Sequence, residues 1–348
     1  MSQNRRVTLK QIAELAATSI GTVDRALKDR PGVRPATKEK VLTVARELGY
    51  IPNPFANALR RMASIRLAMV YPEQPVLFYL PITAGIRDAE RDLSDFGVEV
   101  ELIRYPLQKQ AMEVETLQKL DLTAYQGVAI NSAGPHIAQQ INRIAEAGLP
   151  VITFNTDCVN SKRLYFVGND SIQSGRMGAA LLGRFLGGRG TVTVLGNFLQ
   201  STPFSERFGG FCETIHDSFP DMRIYPCAEC FAEQKLASQS LVALLETVPT
   251  ISGVFCTGYT STVGAISALR QTGRKDVVLV GYDTSNELIG ALQEGWCDVL
   301  LYQDPYQQGY AAVQTLAQYV LDGRMPDARK ITTQTNIVLA QNANSYRE

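Results

Sequence analysis

From residue 66 onward, apolar runs of five to eight residues alternate with amphipathic stretches, and this alternation restricts the fold more than any other feature of the chain. The runs are RLAMVYP (66–72), VEVELIRY (98–105), GVAIN (127–131), PVITFN (150–155), LYFVGND (164–170), TVTVLGN (191–197), GVFCTG (253–258), VVLVGYD (277–283) and VLLYQD (299–304). Helical patterns such as ITAGIRDAERDLSDFG and VGAISALRQTG lie between them. Most of these runs are apolar through their bodies and turn polar at their C-terminal ends. That is the signature of parallel strands in sheets covered by helices on both faces. Nine or more strands imply two lobes, and ligands of such sheets bind beyond the carboxyl ends of the strands.

The first fifty residues read differently. Leu9, Ile12, Ala13 and Ala16 fall on one helical face, with Thr8 ahead of them. Ser19 can cap a second helix with Val23 and Leu27 turned inward. A third pattern, Val41, Val44, Ala45 and Leu48, opens at Pro35 and closes at Gly49. Each helix is too short to persist alone in water, so the three must share a core. Two short helices joined tightly and braced by a third make a helix-turn-helix. In that arrangement Ile20, Gly21 and Arg25 face base edges in the major groove, while Thr8, Ser19 and Thr22 meet phosphates.

Charge separates the same two regions. Residues 1–66 carry a net charge of +8 and the remainder −8, within a chain of zero formal net charge. A compact basic head on an acidic body is the footprint of a nucleic-acid-binding module. Next, YIPNPFANALRRMAS (50–64) has two prolines and then a short stripe of Phe55, Ala56 and Leu59 beside Arg60 and Arg61. It reads either as a plain linker or as a short helix ordered against DNA, its leucine suited to minor-groove insertion. Asn53 and Leu59 complete the expected DNA-binding set.

Enzymatic chemistry finds little support. The two histidines, His136 and His216, stand beside no nucleophile pattern, and GxSxG, GxxxxGK[ST] and strand-following GxGxxG motifs are absent. GGRG (187–190) follows a helix, where glycines end helices. Among six scattered cysteines, Cys227 and Cys230 form one CxxC pair, which supplies two of the four ligands zinc needs. No metal and no cofactor are expected. The N-terminal MSQNRRVTLK lacks the apolar core of a secretion signal and no run is long enough to span a membrane. A cytoplasmic location, reduced thiols and no membrane partner are therefore expected.

VTLKQIAELAATSIGTVDRAL, TKEKVLTVARELGYIPN and the segment after them resemble the lactose-repressor/galactose-repressor family of transcriptional regulators, and the resemblance extends over essentially the entire chain. It implies an N-terminal all-α helix-turn-helix domain (1–51), a hinge helix or linker (52–65) and an α/β two-lobed domain of the periplasmic-binding-protein type (66–348). The first lobe is expected at about 66–167 and 303–332, the second at about 168–302 and 333–345. It also implies a homodimer on a pseudo-palindromic double-stranded operator, each hinge inserting Leu59. Ala17 in place of a turn glycine, Asp24 in place of a serine and Arg34 at a serine cap depart from the pattern.

The resemblance places the effector site on Phe78, Tyr79, Asn155, Asp157, Arg163, Asp170, Arg207, Asp283 and Gln303, since matching positions in relatives contact a sugar or purine. Arg207, Asp283 and Gln303 have the cleanest flanking motifs. Aromatic faces with Asp, Asn, Arg and Gln suit a monosaccharide or polyol, although an aspartate at a strand end reads equally well as a helix cap. Gly258 and Tyr259 replace an Asn-Asp pair. The function expected is ligand-controlled repression of carbohydrate or polyol uptake and catabolism genes. The alternative is a solute-binding protein with a fortuitous head.

Overall fold

The computed structural model describes residues 9–27, 33–48, 64–106, 110–131 and 134–347. The chain divides into two compact units, residues 1–61 and 62–348. In the first, α1 (Leu9–Leu15), α2 (Ile20–Leu27) and α3 (Pro35–Glu47) enclose a core of Ile12, Ala13, Ala16, Val23, Ala26, Val41 and Ala45. Ser19 caps α2: its Oγ accepts the Thr22 amide at 3.1 Å, satisfying one of the donors a helix start leaves open. Pro35 takes the first position of α3, where a missing N–H costs nothing. Ala17, in the turn between α1 and α2, has φ 50°, a left-handed conformation that disfavours any residue with a Cβ. The expected hinge segment, with Asn53 and Leu59, lies outside the described residues, as do Thr8 and Gly49; α3 itself ends at Glu47.

In the second unit the order is β1 (Ile65–Pro72), α4 (Val76–Asp92), β2 (Val98–Tyr105), α5 (Gln110–Gln118), β3 (Gly127–Ile130), α6 (Ala138–Glu146), β4 (Val151–Phe154) and β5 (Phe166–Asn169). There follow α7 (Ser171–Phe185), β6 (Gly190–Gly196), α8 (Thr202–Ser218), β7 (Met222–Glu229), α9 (Gln234–Thr247), β8 (Ile251–Cys256), α10 (Tyr259–Thr272), β9 (Val278–Tyr282), α11 (Asn286–Gln293) and β10 (Val299–Tyr302). The last elements are α12 (Pro305–Asp322), β11 (Lys330–Thr333) and β12 (Asn336–Val338). Two six-stranded sheets result, ordered β11-β5-β4-β3-β1-β2 and β12-β10-β9-β8-β6-β7. All pairings are parallel except β10 with β12.

Each sheet is covered on both faces, and the alternation along β1 shows how. Leu67, Met69 and Tyr71 enter one core with α4 and α12, while Ala68 and Val70 enter the core on the opposite face. The chain crosses between the lobes after β5, after β10 and between β11 and β12. Side chains staple these crossovers: Asn169 Nδ2 donates to Thr335 Oγ1 at 2.7 Å, and Thr333 Oγ1 donates to the Gln303 carbonyl at 3.1 Å.

Helix pairs fix the approach to the cleft. A Cβ on Gly175 of α7 would lie 2.2 Å from the Arg207 carbonyl of α8, and one on Gly85 of α4 would lie 2.1 Å from the Tyr306 carbonyl of α12. Backbone atoms cannot rotate away as side chains do, so glycine is required at both contacts.

Candidate functional site

On the head, Ser19, Gly21 and Arg25 are exposed and Thr22 is half-buried. Arg25 Nε donates to the Gly21 carbonyl at 3.2 Å, and Ser19 Oγ lies 2.9 Å from Thr22 Oγ1. These four expected DNA-contacting residues thus share the start of α2 and its following turn. The side chains of Ile20 and Asp24 lie outside the described residues.

The second unit holds a cavity of about 290 Å³ at the carboxyl ends of strands from both sheets. Strand geometry creates it: β1 ends at Pro72, Asn131, Asn155, Asn197 and Asp283 directly follow β3, β4, β6 and β9, and Gly258 lies two residues past β8. Phe78 and Tyr79, from the first turn of α4, wall one side.

Its polar floor is a continuous network. Arg207 is buried, with Nη1 donating to the Thr257 carbonyl at 2.7 Å and Nη2 to Gln303 Oε1 at 2.9 Å. Its guanidinium carbon stands 4.2 Å from the centre of the Tyr282 ring, and its Nε is buried with no protein partner. A buried guanidinium N–H without an acceptor is costly. Gln303 Nε2 in turn donates to Asp283 Oδ1 at 2.9 Å. Burial pushes the Asp283 carboxyl up to about 6, opposed by the charge of Arg207 and the bond from Gln303.

The network continues into the first lobe. Gln308 Nε2 donates to the Gln303 carbonyl at 2.9 Å, while its Oε1 accepts from Asn155 Nδ2 at 2.8 Å. Asn131 Nδ2 donates to Asn155 Oδ1 at 3.2 Å and lies 3.3 Å from Tyr79 Oη. Burial drives the Tyr79 hydroxyl pKa well above its ordinary value, so it stays a neutral donor and acceptor.

Six of the nine expected effector residues, Phe78, Tyr79, Asn155, Arg207, Asp283 and Gln303, therefore meet around one cavity. The other three stand away from its wall. Asp157 is taken up by its own loop: Oδ2 accepts from Arg163 Nη2 at 2.6 Å, and Oδ1 accepts from Arg163 Nε, Thr153 Oγ1 and the Cys158 amide. That pairing occupies Arg163 as well. Asp170 caps α7 through the Gln173 amide at 3.0 Å, which is the helix-cap alternative. Asn131 and Asn197 also line the cavity; both end runs visible in the sequence, and the strand-end rule applied to every run would have marked them. Phe198 and Phe231 carry no such signal, because loop geometry brings them in, and Phe204 enters from the first turn of α8.

A helix-turn-helix head, followed by a two-lobed unit with a polar floor reached from both lobes, defines a ligand-responsive DNA-binding transcriptional regulator. The family model of bacterial regulatory proteins, lacI family, matches residues 8–53, and that of the periplasmic binding protein domain matches residues 67–324. The head matches the lacI family of bacterial regulatory proteins, and the chain belongs, over most of its length, to the periplasmic binding protein domain family.

Among its relatives is the maltose regulon regulatory protein MalI of Escherichia coli K12, 29% identical over 79% of this chain and 78% of that one. The HTH-type transcriptional regulator CelR of Thermobifida fusca is 27% identical over 82% of this chain and 84% of its own. Among solved structures, the glucose-galactose binding protein GanP of Geobacillus stearothermophilus superposes with a TM-score of 0.75 at 23% identity, over 81% of this chain and 99% of that one. At that identity the likeness concerns the fold. The relatives carry the names of regulators, not of enzymes. Among the described residues, no helix is long and apolar enough to cross a membrane and no cluster of side chains suits a metal.

Proposed function

We propose that this regulator is a cytoplasmic repressor of carbohydrate or polyol uptake and catabolism genes, released from or recruited to its operator by a monosaccharide-like effector. The Arg207–Gln303–Asp283 constellation carries the reading. The Arg207 guanidinium beside the Asp283 carboxylate at the cavity floor offers a donor and an acceptor to adjacent hydroxyls, and the aromatic rings of Phe78 and Tyr79 offer faces for C–H groups. Two relatives, a maltose regulon regulatory protein and a ribose operon repressor, accord with sugar control.

Effector held by both lobes favours one lobe arrangement. Switching requires a coupling of only about 1–3 kcal/mol. A homodimer follows from a head that reads a half-site. Val76, Leu77 and Leu80, exposed by 48, 40 and 49% along one stretch of α4, supply an apolar surface for it.

Thermal shift of the full chain against sugars, polyols and purines tests the effector class, because a ligand of the folded state raises the midpoint by mass action. Gel shifts with and without residues 1–64 test the DNA reading. Salt-sensitive binding by the full chain alone is expected; its absence would favour a solute-binding protein. Purine binding without sugar binding would overturn the carbohydrate assignment.

A further inference from the structure

Beside the polar floor the cavity continues into an aromatic annex. Phe204 joins the two parts: its ring lies 5.7 Å from the Arg207 guanidinium carbon, and its edge lies 3.0 Å from where a Cβ on Gly258 would stand. On the other side of Gly258, that same Cβ would be 2.7 Å from Asn197 Nδ2. The Asn197 carbonyl accepts the Ala232 amide at 3.1 Å, and Phe231 meets Phe198 edge-to-face at 6.0 Å. Phe198, Phe204, Phe231 and Tyr259 all line the cavity.

Phe231 and Ala232 are consecutive non-glycine residues with φ of 50° and 58°. Left-handed backbone at such residues persists only where surroundings impose it, and it gathers at ligand clamps. Here the turn is tied on both sides: the Cys230 amide donates to the Gly196 carbonyl and the Glu233 amide to the Cys230 carbonyl, each at 2.8 Å. The result holds the Phe231 ring at the cavity with half of it exposed, 51%, although a phenyl ring gains most when buried.

We propose that the effector is a glycoside carrying a second flat-faced ring: the polar floor takes a hydroxylated ring and the annex stacks the ring attached to it. The proposal rests on the carbohydrate reading and sharpens it from a single ring to two. A second pyranose, through its C–H face, and an aryl aglycone share this chemistry, since each lays a flat apolar surface on Phe198, Phe204 or Phe231. The Gly258-Tyr259 sequence is part of the same design. A Cβ at Gly258 would drive Phe204 and Asn197 apart, opening the junction between floor and annex.

The test is calorimetric titration of the full chain with D-glucose, D-galactose, D-mannose and D-xylose, each beside its phenyl glycosides and a disaccharide containing it. For the sugar that binds, at least one glycoside is expected to bind about three- to tenfold tighter. In Phe231→Ala the ratio of glycoside to free-sugar affinity should fall to about one, and Phe198→Ala should repeat this if the first variant folds poorly. The disaccharide and phenyl arms separate the two sources of the second ring. A free sugar that binds as tightly as all its glycosides, or a ratio unmoved by both variants, overturns the annex assignment alone. Binding of none of the probes overturns the carbohydrate reading together with it.

Discussion

Arg207 of α8 donates to Gln303 at 2.9 Å, tying the second lobe's guanidinium to the crossover that leads into the first lobe. The Gln303 side chain also holds Asp283, and its carbonyl accepts from Gln308 and Thr333. One residue therefore touches the polar floor of the cavity, helix α12 of the first lobe and the end of β11.

Arg207→Ala should remove the effector response while operator binding by the effector-free protein persists. The change deletes two charge-assisted bonds and leaves Asp283 buried without its cation. Effector affinity should fall on the order of 100-fold or more, and stability by about 3 kcal/mol. Titration calorimetry, chemical denaturation and a gel shift measure the three effects separately. An unchanged response would remove Arg207 from the site.

Asp283 makes stability and binding depend on pH in opposite senses. Its folded-state pKa of about 6 lies above the ordinary 3.8, so the folded chain holds this proton more tightly than the unfolded chain. The contribution to stability is full below about pH 4 and is lost as pH rises through about 6. Relative to wild type, Asp283→Asn should gain about 2–3 kcal/mol across that interval. A sugar hydroxyl donating to the carboxylate needs the ionised form, so wild-type affinity should fall below about pH 6 while that of Asp283→Asn stays flat. Denaturation and titration between pH 4 and 8 give both curves.

Gly175→Ala and Gly85→Ala press against backbone carbonyls in equivalent helix pairs, and each should destabilise by about 1–3 kcal/mol. Their effects on effector affinity should differ. The atom displaced by Gly175→Ala is the carbonyl of Arg207 itself, so this variant alone should also weaken binding, by about tenfold. Equal effects on affinity would mean the α7–α8 contact does not position Arg207.

Ala17→Gly should stabilise the head by about 1 kcal/mol, because glycine adopts φ 50° without the steric cost that alanine carries. Hydrogen exchange in the full chain should show amides of residues 12–27 protected about fivefold more, with the second unit unchanged. Slower exchange in neither region would mean that the turn stores no strain.

The sequence by itself determined the three helices of the head, their buried faces and the two-lobed α/β body, since periodicity and capping act over a few residues. Nine strands were legible; the three that were not, β7, β11 and β12, all lie at or beside sheet edges. Edge strands need no continuous apolar run, and β7 even accommodates Pro226, whose missing N–H an edge tolerates. Strand ends likewise announced Asn155, Asp283 and Gln303. Tertiary structure alone decided which polar ends face a cavity. Asp157 and Arg163 neutralise each other within a loop, and Asp170 serves a helix start. The aromatic annex belongs wholly to this second level. Phe198 and Phe231 sit on loops without local pattern and Phe204 on the first turn of α8, and only the fold brings the three to one cavity.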